Sequence, residues 1–182
     1  MNLRIKMQKI VLIGGSKSNV GKTTLARIIL KLFPKTFVAI KITNNLIHGL
    51  GITKETFKTA PFGKDTYFLL ENAKHVFWAK GDFEYINIHI KELIETLDDP
   101  VIVEGNIFYR IMKPSLFLFV GKDGVSIKEE AKKLVEVADF VIVNGDFVFN
   151  IVGNKVFVNL QKNLYSLETD FKEFLTSSIS KL

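Results

Sequence analysis

The sequence contains no cysteine, which excludes disulfide bridges and thiolate metal sites. Its three histidines, His48, His75 and His89, have no metal-ligand spacing and read as surface or core residues. No apolar run approaches the roughly 20 residues that a membrane helix needs. Residues 1–6, which include Arg4, lack the apolar core of a signal peptide. A cytoplasmic location without a membrane partner is therefore expected. Arginine is scarce too, at Arg4, Arg27 and Arg110 alone, so the net charge of +6 rests mostly on lysines. Those lysines are scattered rather than gathered with aromatics into one tract, so the expectation is a solvated surface and no nucleic-acid partner. A positive balance does suit a small anionic ligand, which needs only a few cations at one place.

What the chain has is the composition of a globular domain, with 47% hydrophobic and 24% charged residues over 182 positions. That length fits a single domain, residues 1–182, with a continuous core. No repeat, low-complexity segment or linker interrupts it. Short β-branched runs alternate with helical patterns, predicting an α/β fold with a mostly parallel sheet and helices on both faces. Strands are expected at residues 9–13, 36–42, 75–79, 100–104, 116–120 and 140–143. Helices are expected at 22–33 (stopped by Pro34), 66–74, 84–97 and 126–137. Residues 43–65 read as the longest irregular stretch, a length usually functional or mobile. Gly153-Asn154 predicts a hairpin between residues 147–152 and 155–160, and a last helix begins near Leu167.

Between the first strand and first helix stands Gly15-Ser16-Lys17-Ser18-Asn19-Val20-Gly21-Lys22-Thr23-Thr24. Strand, loop and helix in that order are the context of a P-loop. Its backbone N–H groups would surround phosphate oxygens at a helix N-terminus, which carries partial positive charge. Lys22 would reach the β and γ phosphates, the Thr23 hydroxyl would ligate Mg²⁺, and Gly21 would let the backbone approach closely. Gly15, Lys17, Ser18, Asn19, Val20 and Thr24 complete the expected contacts to ATP or GTP. The strict pattern G-x-x-x-x-G-K-[ST] fails at its first position, where Ser16 stands and the glycine comes one residue early.

The departure carries a resemblance. Gly15-Ser16-x-Ser18-x-Val20-Gly21-Lys22-Thr23 resembles the G-T-x-T-x-V-G-K-T loop of dethiobiotin synthetases, with serines for both threonines. Aligned differently, Lys17 falls where the K-G-G-x-G-K-T loop of the MinD and ParA ATPases has its signature lysine. All belong to the P-loop class named after signal recognition particle, MinD and dethiobiotin synthetase. The resemblance implies a Rossmann-like three-layer P-loop NTPase fold, and that Lys17 could act on a γ-phosphate across a homodimer. Ser18-Asn19 in place of the glycine pair departs from that loop, leaving a solvated loop lysine as the alternative.

Val101-Ile102-Val103-Glu104-Gly105 is a hydrophobic strand ending in an acid, and such strands deliver their C-termini to one crevice. Glu104 is thus a candidate for the Mg²⁺ shell or for polarising a nucleophile. The Glu-Gly pair resembles dethiobiotin synthetases and the adaptors of molybdopterin-guanine dinucleotide biosynthesis (MobB-like). Gly63-Lys64-Asp65-Thr66-Tyr67, followed by Leu70-Glu71-Asn72-Ala73, is similar to the K-D-[ST]…E-A-G-A segment of those adaptors. That resemblance implies an Asp65 close to the metal; the residues alone equally allow a helix N-cap. Lys41 near the end of the second strand, with Asn44 and Asn45 after it, suits a phosphate or carboxylate of a substrate, or ordinary turn chemistry. Asn144 stands where relatives read the base. Without the rest of N-K-x-D, guanine specificity is unsupported and ATP and GTP both stay open.

The chain is therefore expected to bind Mg²⁺ and ATP or GTP, and to hydrolyse the nucleotide or transfer its phosphoryl group as the MobB-like adaptors would. Two alternatives stay open: a dethiobiotin-synthetase-like ligase or small-molecule kinase, and a non-catalytic nucleotide-gated module. A small anionic acceptor or a cofactor-synthesis protein would be the partner.

Overall fold

The computed structural model describes residues 8–182, so the expectation for residues 1–6 lies outside them. Nine strands form one sheet among these residues. In chain order they are β1 (Ile10–Gly15), β2 (Val38–Thr43), β3 (Gly51–Glu55), β4 (His75–Lys80), β5 (Val101–Glu104), β6 (Leu116–Lys122), β7 (Phe140–Asn144), β8 (Asn150–Val152) and β9 (Lys155–Val158). The helices are α1 (Lys22–Leu32), α2 (Asp65–Leu70), α3 (Phe83–Glu95), α4 (Glu129–Val137), α5 (Leu160–Tyr165) and α6 (Thr169–Ser180). A 3₁₀ turn over Asn106–Arg110 follows β5.

Across the sheet the order is β3-β4-β2-β5-β1-β6-β7-β9-β8. Every pairing from β4 through to β9 is parallel, while β3 and β8 close the two edges antiparallel. The C-terminal hairpin is therefore part of the sheet, because β9 pairs with β7. Its turn needs Gly153, at φ 61°.

Strand β1 is buried along its whole length, as a central parallel strand covered on both faces must be. Its side chains alternate between two cores. Val11 and Ile13 face a layer built from α1, α2, α5 and α6, where Leu25, Ile29, Phe171 and Leu175 pack. Ile10 and Leu12 face α3, α4 and the 3₁₀ turn, with Ile86, Ile90, Ile94 and Phe108. Spaced by four, Ile86, Ile90 and Ile94 form one stripe of α3. Burying each contributes about 1.5–3 kcal/mol. The result is the three-layer α/β fold expected.

Three elements were not expected. β3 lies inside the stretch read as irregular, and its order comes from pairing with β4. The 3₁₀ turn and α5 are the others, and α5 takes up Leu160, read as the end of a strand. Asn159 caps α5, its side chain accepting from Lys162 N–H.

Candidate functional site

The loop 16–21 joins β1 to α1 at the C-terminal edge of the sheet, where parallel strands open a crevice. Its shape explains the displaced glycine. Gly15 runs so close to β6 that an added Cβ would stand 2.9 Å from the Val120 carbonyl oxygen. Ser16 tolerates its side chain, fully buried, with the hydroxyl unpartnered among the described residues. Further along, Asn19 at φ 60° and Gly21 at φ 111° take the left-handed conformation, which asparagine and glycine reach most easily. At Gly21 a Cβ would also meet Asn144 Nδ2 and Leu160 Cδ1 at 2.9 Å.

Two asparagines clamp this loop. Asn106 Oδ1 accepts from Gly15 N–H at 2.7 Å, and its Nδ2 donates to the Gly15 carbonyl at 2.9 Å. Asn144 Nδ2 donates to the Val20 carbonyl at 3.0 Å, and its Oδ1 accepts from Leu160 N–H at 3.0 Å. Both amide ends of Asn144 are thus engaged with backbone.

Strand register assembles the acids. Lys41 and Glu104 are direct partners on the parallel pair β2 and β5, and Glu104 is in turn the partner of Ile13 on β1. Two residues back on the same strands, Ala39 and Ile102 belong to the core beneath α1. Period-two alternation therefore sends Lys41 and Glu104 to the same side, just past the end of that core. There the Thr23 hydroxyl donates to Glu104 Oε2 at 2.8 Å. Lys41 Nζ pairs with Glu104 Oε1, and with Asp65 Oδ2 at 2.7 Å. Asp65 is the first residue of α2 and does not cap it; Lys64 occupies the cap position without a side-chain bond. Its carboxylate is instead drawn to Lys41. Lys22 Nζ donates to the Lys17 carbonyl at 2.6 Å, folded over its own loop.

Burial holds the Lys22 ammonium below the ordinary lysine value; Glu104 opposes this and Lys41 adds to it. For Lys41 burial also disfavours the charge, but Glu104 and Asp65 outweigh it and leave the group above its ordinary value. Burial works against the Asp65 carboxylate, yet Lys41, with the Thr23 hydroxyl and Lys22, holds it below the usual range. Opposite charges at contact distance account for both net directions.

A cavity of about 530 Å³ opens here, lined by Ser18, Asn19, Gly21, Lys22, Thr23, Thr24, Lys41, Asp65, Glu104 and Asn144. Lys122 at the end of β6 and Gln161 on α5 complete it. Lys122 had a signal in the sequence, a cation just past the strand expected at 116–120; Gln161 had none, because α5 itself was not expected. The remaining candidates lie elsewhere. Gly15, Lys17 and Asn44 line a second cavity on the far side of the loop, Val20 is buried, and Asn45 lines neither cavity.

No cluster of three or more His, Cys, Asp or Glu that could hold a metal unaided occurs among the described residues. The donors that do converge are one hydroxyl and two carboxylates. That hard-oxygen set fits Mg²⁺, which takes one or two carboxylates and completes its shell with phosphate oxygens and water. No helix among the described residues is long and apolar enough to cross a membrane.

No family model and no curated protein matches the chain. Among solved structures it is similar to LpxK from Aquifex aeolicus, solved with ATP, at a TM-score of 0.57 and 16% identity. That match covers 83% of this chain and 54% of the other, so the chain spans about half of that protein's length. The Aquifex aeolicus cell-division protein MinD aligns over 94% of this chain and 78% of its own, at 17% identity and a TM-score of 0.43. In the MinC:MinD complex the values are 15% and 0.44 over the same coverage. At such identity the likeness to LpxK is one of fold alone, a three-layer α/β fold.

Proposed function

We propose that this chain binds a Mg²⁺-nucleoside triphosphate in the cavity over the loop and moves its γ-phosphoryl group to water or to a small acceptor. The observation that carries the reading is the convergence of Thr23, Glu104, Lys41 and Asp65 from four separate elements beside Lys22. A merely structural P-loop has no use for a buried carboxylate bonded to its helix-start threonine. The fold shared with LpxK, a protein solved with ATP, supports the same reading.

In this scheme the loop N–H groups and Lys22 hold the β and γ phosphates, and the negative charge returns Lys22 toward its ordinary proton affinity. Mg²⁺, held by Thr23 with Glu104 and Asp65 beside it, would neutralise charge developing on the phosphates. In this reading Glu104 would accept a proton from the attacking oxygen. Lys17 faces the opposite side of the loop, where it can meet an acceptor or, in a homodimer, a partner's γ-phosphate.

Among enzymes of this fold, the MobB-like adaptors offer the best match in motif. Lys64-Asp65-Thr66 and Glu104-Gly105, the two segments that suggested those adaptors, supply the acids at the site. Asn144 gives no reason to favour guanine over adenine, because its amide is occupied by backbone. Product analysis tests the reading. Nucleoside diphosphate formed from Mg-ATP or Mg-GTP alone indicates hydrolysis, and formation only with an acceptor indicates a kinase or ligase. Binding without turnover in either setting indicates a nucleotide-gated module. Failure to bind both nucleotides at millimolar concentration with Mg²⁺ would remove the proposal.

A further inference from the structure

The loop separates two cavities. The second, about 790 Å³, lies between the start of the 3₁₀ turn, the end of β2 and helix α4. It shares Ser18, Lys22 and Lys41 with the phosphate cavity, so the two spaces meet where a γ-phosphate would lie. Its charge is one-sided. Six cations line it, Lys17, Lys22, Lys41, Arg110, Lys128 and Lys133, against the single acid Glu130. Glu130 already pairs with Lys128 at 3.8 Å. Among the described residues no carboxylate pairs with Lys17, Arg110 or Lys133; Arg110 lies over the Phe83 ring at 4.1 Å instead. A recess lined by one sign of charge concentrates the opposite sign.

Part of the wall is apolar: Ile42, Ile107, Tyr109, Leu134 and Val137 line it beside those cations. Ser16, Ser18, Thr43, Asn44 and Asn106 supply neutral polar groups. Val137 is 44% exposed, so its side chain is open to a ligand in this cavity. The volume falls within the roughly 300–1,000 Å³ of small-molecule sites.

We infer that this second cavity holds the phosphoryl acceptor, a small amphipathic anion whose phosphate or carboxylate meets Lys17, Lys133 and Arg110 and whose apolar body lies on Tyr109, Leu134 and Val137. The inference rests on the nucleotide reading of the neighbouring cavity. The acceptor's hydroxyl oxygen forms a bond to the γ-phosphorus as the bond from that phosphorus to the β-bridging oxygen breaks. The bond's electron pair leaves with the nucleoside diphosphate, and the hydroxyl proton passes to Glu104. Lys41 borders both cavities and would touch the phosphoryl group in flight.

The test titrates octyl phosphate, octanoate, inorganic phosphate and octanol into the full chain with Mg-ADP present. The readout is fluorescence of Trp78, the chain's single tryptophan, whose Nε1 donates at 3.0 Å to Thr43 on the cavity wall. Octyl phosphate or octanoate should saturate at a concentration at least tenfold lower than inorganic phosphate or octanol. The tighter of the two identifies the headgroup. Lys133→Glu and Val137→Asp, both at exposed positions, should each weaken that binding at least fivefold. Affinity for Mg-ATP, measured in the same samples, reports separately on the nucleotide site. Binding of Mg-ATP with no preference among the four probes, or with a preference that ignores both substitutions, overturns the acceptor cavity and leaves the nucleotide reading standing. A Mg-nucleotide-dependent dimer that excludes octyl phosphate also overturns it. Loss of all nucleotide binding in the wild type overturns the underlying reading instead.

Discussion

Thr23 donates its hydroxyl to Glu104 Oε2 at 2.8 Å, tying the first turn of α1 to the end of β5 across 81 residues of sequence. Glu104 is 2% exposed, so its charge is tolerated only because Thr23 and Lys41 both bond it.

Glu104→Gln keeps the shape and removes the charge. Nucleotide affinity should survive, because the loop amides and Lys22 supply most of the attraction to phosphate. Single-turnover phosphoryl transfer should fall by about a hundredfold or more, the scale of losing a positioned base. Thr23→Ala should act on the other quantity, weakening the Mg²⁺ dependence of binding. Equal turnover rates for Glu104→Gln and wild type would make Glu104 a structural acid, and the nucleotide-gated module the better description.

Saturating Mg-ATP or Mg-GTP should stabilise the fold. A ligand at a hundred times its Kd adds about 2.7 kcal/mol, a rise in Tm of roughly 5–11 °C for a domain of this size. Lys22→Ala should abolish most of that rise in a thermal melt. An undiminished shift in the variant would place the nucleotide somewhere else on the molecule.

Asn106 bonds both backbone groups of Gly15, and Gly15 begins the loop. Asn106→Ala leaves those groups without partners at the base of the site. Stability measured by urea unfolding should drop by about 1–3 kcal/mol, with weaker nucleotide binding as the loop shifts. A variant with unchanged midpoint and unchanged affinity would show that the clamp is dispensable.

Asp65 is held below the usual carboxylate range, so the native state binds its proton more weakly than the unfolded chain does. Its contribution to stability is therefore present above the ordinary aspartate value near pH ~4, and is lost as pH falls through the lower folded-state value. Asp65 is half exposed, which makes the contribution small. In urea melts, Asp65→Asn should be less stable than wild type at pH 6, and the gap should close as pH falls through the lowered folded-state value. A gap that widens on acidification would contradict the Lys41–Asp65 pairing.

Much of the site was legible because its signals are local. The loop needs only a strand, a few loop residues and a helix in succession, and Gly15 to Thr24 carry all three. Glu104 was legible as an acid ending a hydrophobic strand, and the hairpin through Gly153-Asn154. Other features had no local signal strong enough. Gly51–Glu55 becomes β3 only because β4 offers it an edge to pair with. Asn144 lines the cavity with its amide bonded to the Val20 carbonyl and Leu160 N–H, an arrangement that requires α5 to start beside it. The sequence by itself determined that a glycine- and lysine-bearing loop stands between a strand and a helix, that an acid ends a hydrophobic strand, and that a lysine lies late in another. Only the tertiary structure decided that Lys41 and Glu104 meet, because β2 lies directly beside β5 in the sheet and their register makes the two residues partners. Sixty-three residues of chain separate them, so no local pattern records an ion pair that strand order alone creates.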